Sequence, residues 1–519
     1  MNGVRAVIFT ALFVFLGLPA AWAQDVTLIS PDGKVEISGA LRGFDGEYYR
    51  LDTIYGELTV DGSSVRCEGP GCPNLEDYIA ELTLSGEASV GRVLLPALIE
   101  TFAQSSGLKL THEDTAPTER VYIFADPESD KVMGVFAVRS TNTDDGFADL
   151  LADQADIVMS QREVRVNEAK LAQEAGLGDL NAAGRSRVLA LDAFVPVVAT
   201  DNPLGSITTT MLSRVISGKI TNWQELGGPD APINVHMLDD KSGLGQAATD
   251  RLLTPVGAGI AAVALRHPNN LTLVQAIARD PFGLGLASNS GTLGVKAVPL
   301  SGKCGFLVPA ERNSVKTEDY PLTAPVFLYV PARRLPKLAR DFLTFTRSLS
   351  AQLVIRRAGY IDQAPELVPI DIQGNRFANA IAQAGKEVSL DDLQRMVQVL
   401  RPMKRLTTTF RFEAGSIRLD AQSRSNVAQL AQEIEAGQYD GRRLMFVGFS
   451  DGEGLASANL GIALRRAEAV RTAVQTTAET ASFDRLKLDV DAFGEAMPMA
   501  CDDSAWGRQV NRRVEVWVQ

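Results

Sequence analysis

Four polar side chains near the C-terminal end of the sequence combine charge with regular spacing. Asp451 follows the apolar run Leu444 to Val447 at a glycine-rich turn, Asp451-Gly452-Glu453-Gly454. Asn459 and Arg466 are seven apart on a predicted helix from Ala456 to Val474, two turns, so they share a face. Leu460, Leu464, Ala467, Val470 and Val474 form the apolar stripe beside them. Arg513 opens the last predicted strand. An anchored acid and a guanidinium fork at fixed separation suit a zwitterionic ligand: Asp451 accepts from an ammonium while Arg466 pairs a carboxylate bidentately. A structural salt bridge is the alternative for any single acid–base pair of this kind.

A second chemistry is written in three polar loops, each between an apolar strand and a helix start. These are Ser85-Gly86-Glu87-Ala88-Ser89, Ser140-Thr141-Asn142-Thr143-Asp144-Asp145-Gly146 and Lys241-Ser242-Gly243. Helix N-termini offer free amides and a partial positive charge, and Ser or Thr adds hydroxyl donors. One such loop is ordinarily only a helix cap. Three in one α/β region point to a small oxyanion held without a metal. Catalytic readings find little support: His112, His236 and His267 are scattered with no metal-ligand spacing, and neither Gly-x-Ser-x-Gly nor a P-loop is present.

Several elements must position these groups. The 519 residues exceed one ordinary domain, and 45% hydrophobic with 22% charged residues is normal globular composition. A net charge of −12 argues against nucleic acid or an anionic membrane surface as partner. Residues 1–23 read as a secretory signal: Arg5, an apolar run to Pro19, then Ala21-Trp22-Ala23 before Gln24. Residues 24–80 are short alternating runs separated by Asp-Gly pairs, the pattern of a small β module. Residues 81–365 alternate strands with helices. Residues 366–404 read as a connector with one amphipathic helix, Leu390 to Leu400, and residues 405–519 again alternate strand and helix. The fold class is therefore α/β and multidomain. In an oxidising compartment Cys67 and Cys72, bracketing a Glu-Gly-Pro-Gly turn, are expected to pair. Cys304 and Cys501 either bridge two domains or remain buried thiols.

The C-terminal motifs Gly448-Phe449-Ser450-Asp451, Asn459 with Leu464-Arg465-Arg466-Ala467, and Asn511-Arg512-Arg513-Val514-Glu515 resemble those of the OmpA-like peptidoglycan-binding domains. The resemblance implies an α/β sandwich in which Asp451 and Arg466 grip the diaminopimelate of the wall peptide, with Asn459 and Arg513 accessory. Phe449, Ser450 and Ala463 replace the family's His, Thr and Ser.

Residues 82–360 resemble the periplasmic phosphate-binding proteins of ABC transporters. The marks are Leu84-Ser85-Gly86 with Ser89-Val90, Asp156-Ile157-Val158-Met159-Ser160, Ile216-Ser217-Gly218-Lys219-Ile220-Thr221-Asn222-Trp223, and Ser242-Gly243. The resemblance implies a two-lobed fold closing over its ligand, contacts from Ser89, Val90, Thr143, Ser242 and Gly243, and a transporter permease as a further partner. The family's buried carboxylate falls near Ser160 or Gln161, its arginine near Leu238, and its motif Thr at Leu244; Arg162 and Lys241 are nearby charges able to substitute. The expected function is thus a non-enzymatic periplasmic binding protein, without cofactor, for phosphate or a related oxyanion, held to peptidoglycan in a Gram-negative envelope. The alternative is an envelope scaffold or sensor whose lobes no longer bind phosphate.

Overall fold

The computed structural model describes residues 25–74, 78–385, 387–413 and 415–519, so the expected signal segment lies outside the described residues. The chain divides into two units, Met1–Ala80 and Glu81–Gln519.

In the first unit a five-stranded antiparallel sheet is ordered 56–61, 48–53, 36–44, 25–29 and 66–68. Asp45 sets one turn by accepting from the Glu47 and Tyr48 amides at 2.9 and 2.7 Å, as an Asx turn requires. Val26, Leu28, Tyr49 and Leu51 form its small core. So small a core benefits from a staple, and the Cys67–Cys72 disulfide supplies one beside it.

The second unit is built on an eleven-stranded mixed sheet. Strand Ser186–Val198, buried almost throughout, is the crossing element. Its first half pairs antiparallel with Thr323–Tyr329, and its second half with Gly283–Ser288. Continuous apolar strands of this kind occur where both faces are covered. On one side lies a first lobe containing Ile157–Ser160, Ala80–Glu87 and Val132–Thr141; on the other, a second lobe containing Asn234–Leu238 and Leu265–His267. Each lobe places its polar loops at strand ends, where helices begin. Asn142 caps helix Thr143–Leu151 by accepting from the Asp145 amide, and Ser242 caps helix Gly243–Ala248 by accepting from the Gly245 amide.

In the C-terminal domain a sheet ordered 367–368, 404–410, 513–518, 443–449 and 487–494 is covered on one face by helices Ala421–Glu435 and Ala456–Thr477. Gly448 is required there: a Cβ would lie 2.0 Å from the Ala463 carbonyl, so strand and helix meet only without one. The stretch 366–404 is more than the expected connector. Val368 and Leu367 add an edge strand, helices Gly374–Ala382 and Leu390–Leu400 cover the sheet's other face, and Met396, Leu400 and Met403 pack on Met445, Phe449 and Trp517.

Nor does the domain hang loosely from the lobes. Arg405 grips Asp319 through two buried bonds of 2.7 and 3.1 Å, Arg411 donates to the Glu318 carbonyl, and Trp506 Nε1 donates to the Arg251 carbonyl at 2.6 Å. The Val188 amide donates to Ser425 Oγ at 3.0 Å on the crossing strand itself. Cys304 and Cys501 form the second disulfide, which settles the bridge-or-thiol alternative. Closing a loop with a sequence separation of 197 residues removes unfolded-state entropy on the order of 5 kcal/mol. The Cys304→Ser/Cys501→Ser double variant is therefore expected to unfold at markedly lower temperature than the oxidised protein. A thermal scan with unchanged midpoint would show that the bridge adds nothing to the packed interface.

Candidate functional site

Between the lobes lies a cleft of about 530 Å³ lined by Glu87, Ser89, Arg92, Lys241, Ser242 and Tyr360, among others. Arg92 and Lys241 have no ion-pair partner among the described residues. Such a mouth attracts anions. Gln161 Oε1 is buried there with no hydrogen-bond partner among the described residues; burial raises the Tyr360 phenol, and the Ser89 hydroxyl beside it acts the other way.

Three of the five expected contacts converge on one point, and the group at that point is Glu87. Gly243 donates its amide to Glu87 Oε2 at 2.8 Å from the second lobe, Thr143 Oγ1 donates to the same oxygen at 3.3 Å, and the Ser89 amide also bonds the carboxylate. The approach is close enough to demand glycine at 243: a Cβ there would lie 2.2 Å from Thr143 Oγ1 and 2.4 Å from Glu87 Oε2. Burial pushes the Glu87 carboxyl up to about 7, against the lowering effect of the Gly243, Thr143 and Ser89 hydrogen bonds. Ser242 lines the cleft, whereas the Val90 side chain is buried in the first-lobe core and takes no part in the lining.

The buried acid of this cleft is Glu87, on a different loop from Ser160 and Gln161, where the family's carboxylate falls. One sequence expectation for the cleft needs correction. Arg162 does not replace the family's arginine. Its side chain is almost fully buried and is consumed by Asp144 at 2.6 Å, Glu168 at 2.6 and 2.8 Å, and Gln246 at 2.8 Å. With the Gln246 Nε2 bond to Asp144 at 2.6 Å, these contacts bolt one lobe to the other. The histidines are less scattered than their numbering implies: His236 Nδ1 meets His267 Nε2 at 2.9 Å, and its Nε2 meets Asp280 at 3.1 Å. No group of three or more His, Cys, Asp or Glu placed to hold a metal occurs among the described residues.

The second site lies at the end of strand Arg443–Phe449. Asp451 accepts from Arg512 Nη1 at 2.6 Å, and the adjacent Gly452 amide donates to Asp502 at 2.7 Å. Asn511, fully buried, shapes this corner by bonding Ala500 and Asp502. Arg466 lies over the Phe412 ring at 5.0 Å and, among the described residues, hydrogen-bonds only the Ser416 carbonyl at 3.3 Å, its Nε being buried without a partner there. Burial, and then the Arg512 charge, lower its affinity for its proton, and Asp451 opposes them. Asn459 donates to Glu495 at 2.8 Å. Arg512 is the cation sequence reasoning missed, although it is adjacent to the one expected. Arg513 itself has no access to a ligand. It is fully buried, bonds Glu515, the Asn511 carbonyl and the Met497 carbonyl, and lies over the Phe449 ring at 4.2 Å.

Comparison with known proteins agrees with this layout. Residues 75–348 match the PBP superfamily domain, and residues 411–512 match the OmpA family. Protein SphX of Synechococcus elongatus is 27% identical over 275 residues, covering 47% of this chain and 79% of that protein. The phosphate-binding protein PstS of Borreliella burgdorferi is 21% identical over 193 residues, covering 35% and 67%. An ABC-type phosphate transport receptor from Vibrio cholerae, known from a crystal structure, is 23% identical, with 54% and 99% covered and a TM-score of 0.41. With its inter-lobe cleft and a family match across more than half its length, the chain belongs to the PBP superfamily and carries an OmpA-family domain toward its C-terminus.

Proposed function

We propose that the protein is a non-enzymatic binding protein of the periplasm that takes phosphate or a related oxyanion between its lobes and is anchored to peptidoglycan by its C-terminal domain. One observation carries the reading of the cleft: an amide from the second lobe and a hydroxyl from the first meet on a single buried carboxylate oxygen, the arrangement an oxyanion needs. The unpaired Arg92 and Lys241 at the same cleft favour an anion further. Phosphate is preferred because the relatives named above include a phosphate-binding protein. In the C-terminal domain Asp451 takes the ammonium and Arg466 the carboxylate of a diaminopimelate-type stem peptide, with Asn459 fixing the turn through Glu495. A Gram-negative envelope and delivery to a transporter permease complete the proposal.

Calorimetric titration of the full chain at pH 6 with phosphate, and separately with sulfate, tests it. Saturable heat with one site per chain is expected. The absence of both heat and thermal shift at millimolar ligand would refute the oxyanion reading. One observation favours a second reading, an envelope sensor or scaffold: the Asp144, Arg162 and Gln246 contacts already join the lobes without an external ligand.

A further inference from the structure

The oxyanion nest already holds an anion, and that anion belongs to the protein. We infer that the Glu87 carboxylate is the resident occupant of the nest, and that an external oxyanion enters by displacing it. This inference rests on the oxyanion reading above and sharpens it: Glu87 decides which anions the cleft accepts. Gly243 and Thr143 are two of the positions expected to contact phosphate, and the amide of one and the hydroxyl of the other are spent on Glu87. The Gly243 bond crosses from the second lobe to the first, so the carboxylate bridges the lobes as a ligand would. Because the nest leaves no room even for a Cβ at 243, carboxylate and oxyanion cannot occupy it together.

Two charges in one buried nest repel strongly, because the low dielectric there screens little. A fully ionised anion must therefore either swing Glu87 out or find it neutral. The other groups at the cleft fix the direction of the pH effect. Arg92, on the helix that follows the strand ending at Glu87, and Lys241, from the second lobe, are the basic groups at the cleft. Asp239 lines the second-lobe wall, and Asp192 is buried on the crossing strand near Tyr360, its carboxyl raised by burial. Burial brings Glu87 to titrate at about 7, so lowering the pH through this value removes the competing charge.

Sulfate is the cleanest probe, since its charge does not change over this range; phosphate is run in parallel. Titrations of the full-length wild type, Glu87→Ser and Glu87→Gln at pH 8 and pH 6 form the test. Glu87→Ser, which empties the nest, is expected to bind both anions at least roughly tenfold more tightly than wild type at pH 8. Glu87→Gln, which retains the shape without the charge, should fall between them. Wild-type affinity for sulfate should rise several-fold from pH 8 to pH 6, and Glu87→Ser should lose that dependence. The wild-type pH series stands by itself should a variant fail to fold. Equal, measurable affinity in all forms at both pH values would overturn the inference while leaving the oxyanion reading standing. No binding of either anion by any folded form would remove the reading and the inference together.

Discussion

Asp451→Asn is expected to weaken binding to purified sacculi roughly ten- to 150-fold, the equivalent of losing one charged hydrogen bond of about 1.5–3 kcal/mol. The substitution removes the negative charge proposed to pair a stem-peptide ammonium, with little change in side-chain volume. It releases Arg512, which is partly exposed and turns to solvent at little cost, so the domain should remain folded. Arg466→Lys is the matched test on the other end of the ligand: it keeps the charge and loses the planar fork that pairs a carboxylate at two points. Co-sedimentation with sacculi, with circular dichroism to confirm folding, measures both. Full retention in both variants would refute the paired-charge account of wall binding. Arg513 provides a control of different character, because its substitution should unfold the domain instead of selectively blocking the ligand.

The largest expected loss of stability is at Glu515. This carboxylate is fully buried and bonds Arg513 at 2.7 Å, Arg376 at 2.5 Å and Trp517 Nε1 at 3.1 Å, with Arg405 Nε at 3.4 Å. Burial alone would raise its pKa, yet the Arg376, Arg405 and Arg513 guanidiniums hold it well below the usual carboxylate range. Removing one partner of a buried ion pair strands the others, at a typical cost of 3–5 kcal/mol. Glu515→Gln is expected to lower stability by about that amount, read as a shift in the urea midpoint of the 81–519 unit. A loss under about 1 kcal/mol would show that water reaches the cluster. The pH dependence follows with a definite sign. A depressed carboxylate stabilises the fold wherever it is ionised, so its contribution is complete above the ordinary glutamate range and is lost as the pH falls below it.

The same cluster explains why the domain arrangement was only partly legible in the sequence. In strand 513–518 Arg513 and Glu515 alternate with valines, and alternation of that kind commonly marks a half-buried strand. Instead Val514, Val516 and Val518 face the two helices, while Arg513, Glu515 and Trp517 face the other side, under helices 374–382 and 390–400. Only the amphipathic helix at 390–400 was readable beforehand. Its destination was not, because nothing in a local pattern says which distant sheet a helix will cover. Asp319 and Arg405 pose the same difficulty: the two are separated by 86 positions and neither stands in a motif. By contrast, the Asp451 strand end, the helix carrying Asn459 and Arg466, and the three polar loops were legible because each is a local signal. Apolar periodicity gives the element, and a small or capping residue gives its end. Cys501 ties these levels together. The loop that carries it presents Asp502 to the Gly452 amide beside Asp451, so the disulfide to Cys304 joins the wall site to the second lobe.

Glu87 was in plain view, one acid in an otherwise neutral Gly-Glu-Ala-Ser loop. Its significance depended on the third dimension. A glutamate at a helix start is ordinarily a favourable dipole interaction and nothing more. What changes its meaning is Gly243, which comes from 156 positions away and donates its amide to the carboxylate from the other lobe.

The proposed function joins two properties in one molecule: an oxyanion site and a wall anchor. Co-sedimentation of the full chain with purified sacculi at pH 6, equilibrated with millimolar radiolabelled phosphate, tests both at once. The expected pellet contains the protein and, above a sacculus-only control, one equivalent of label per chain. Protein that pellets without label, or that retains label while remaining in the supernatant, would contradict the claim that this is a wall-anchored oxyanion-binding protein.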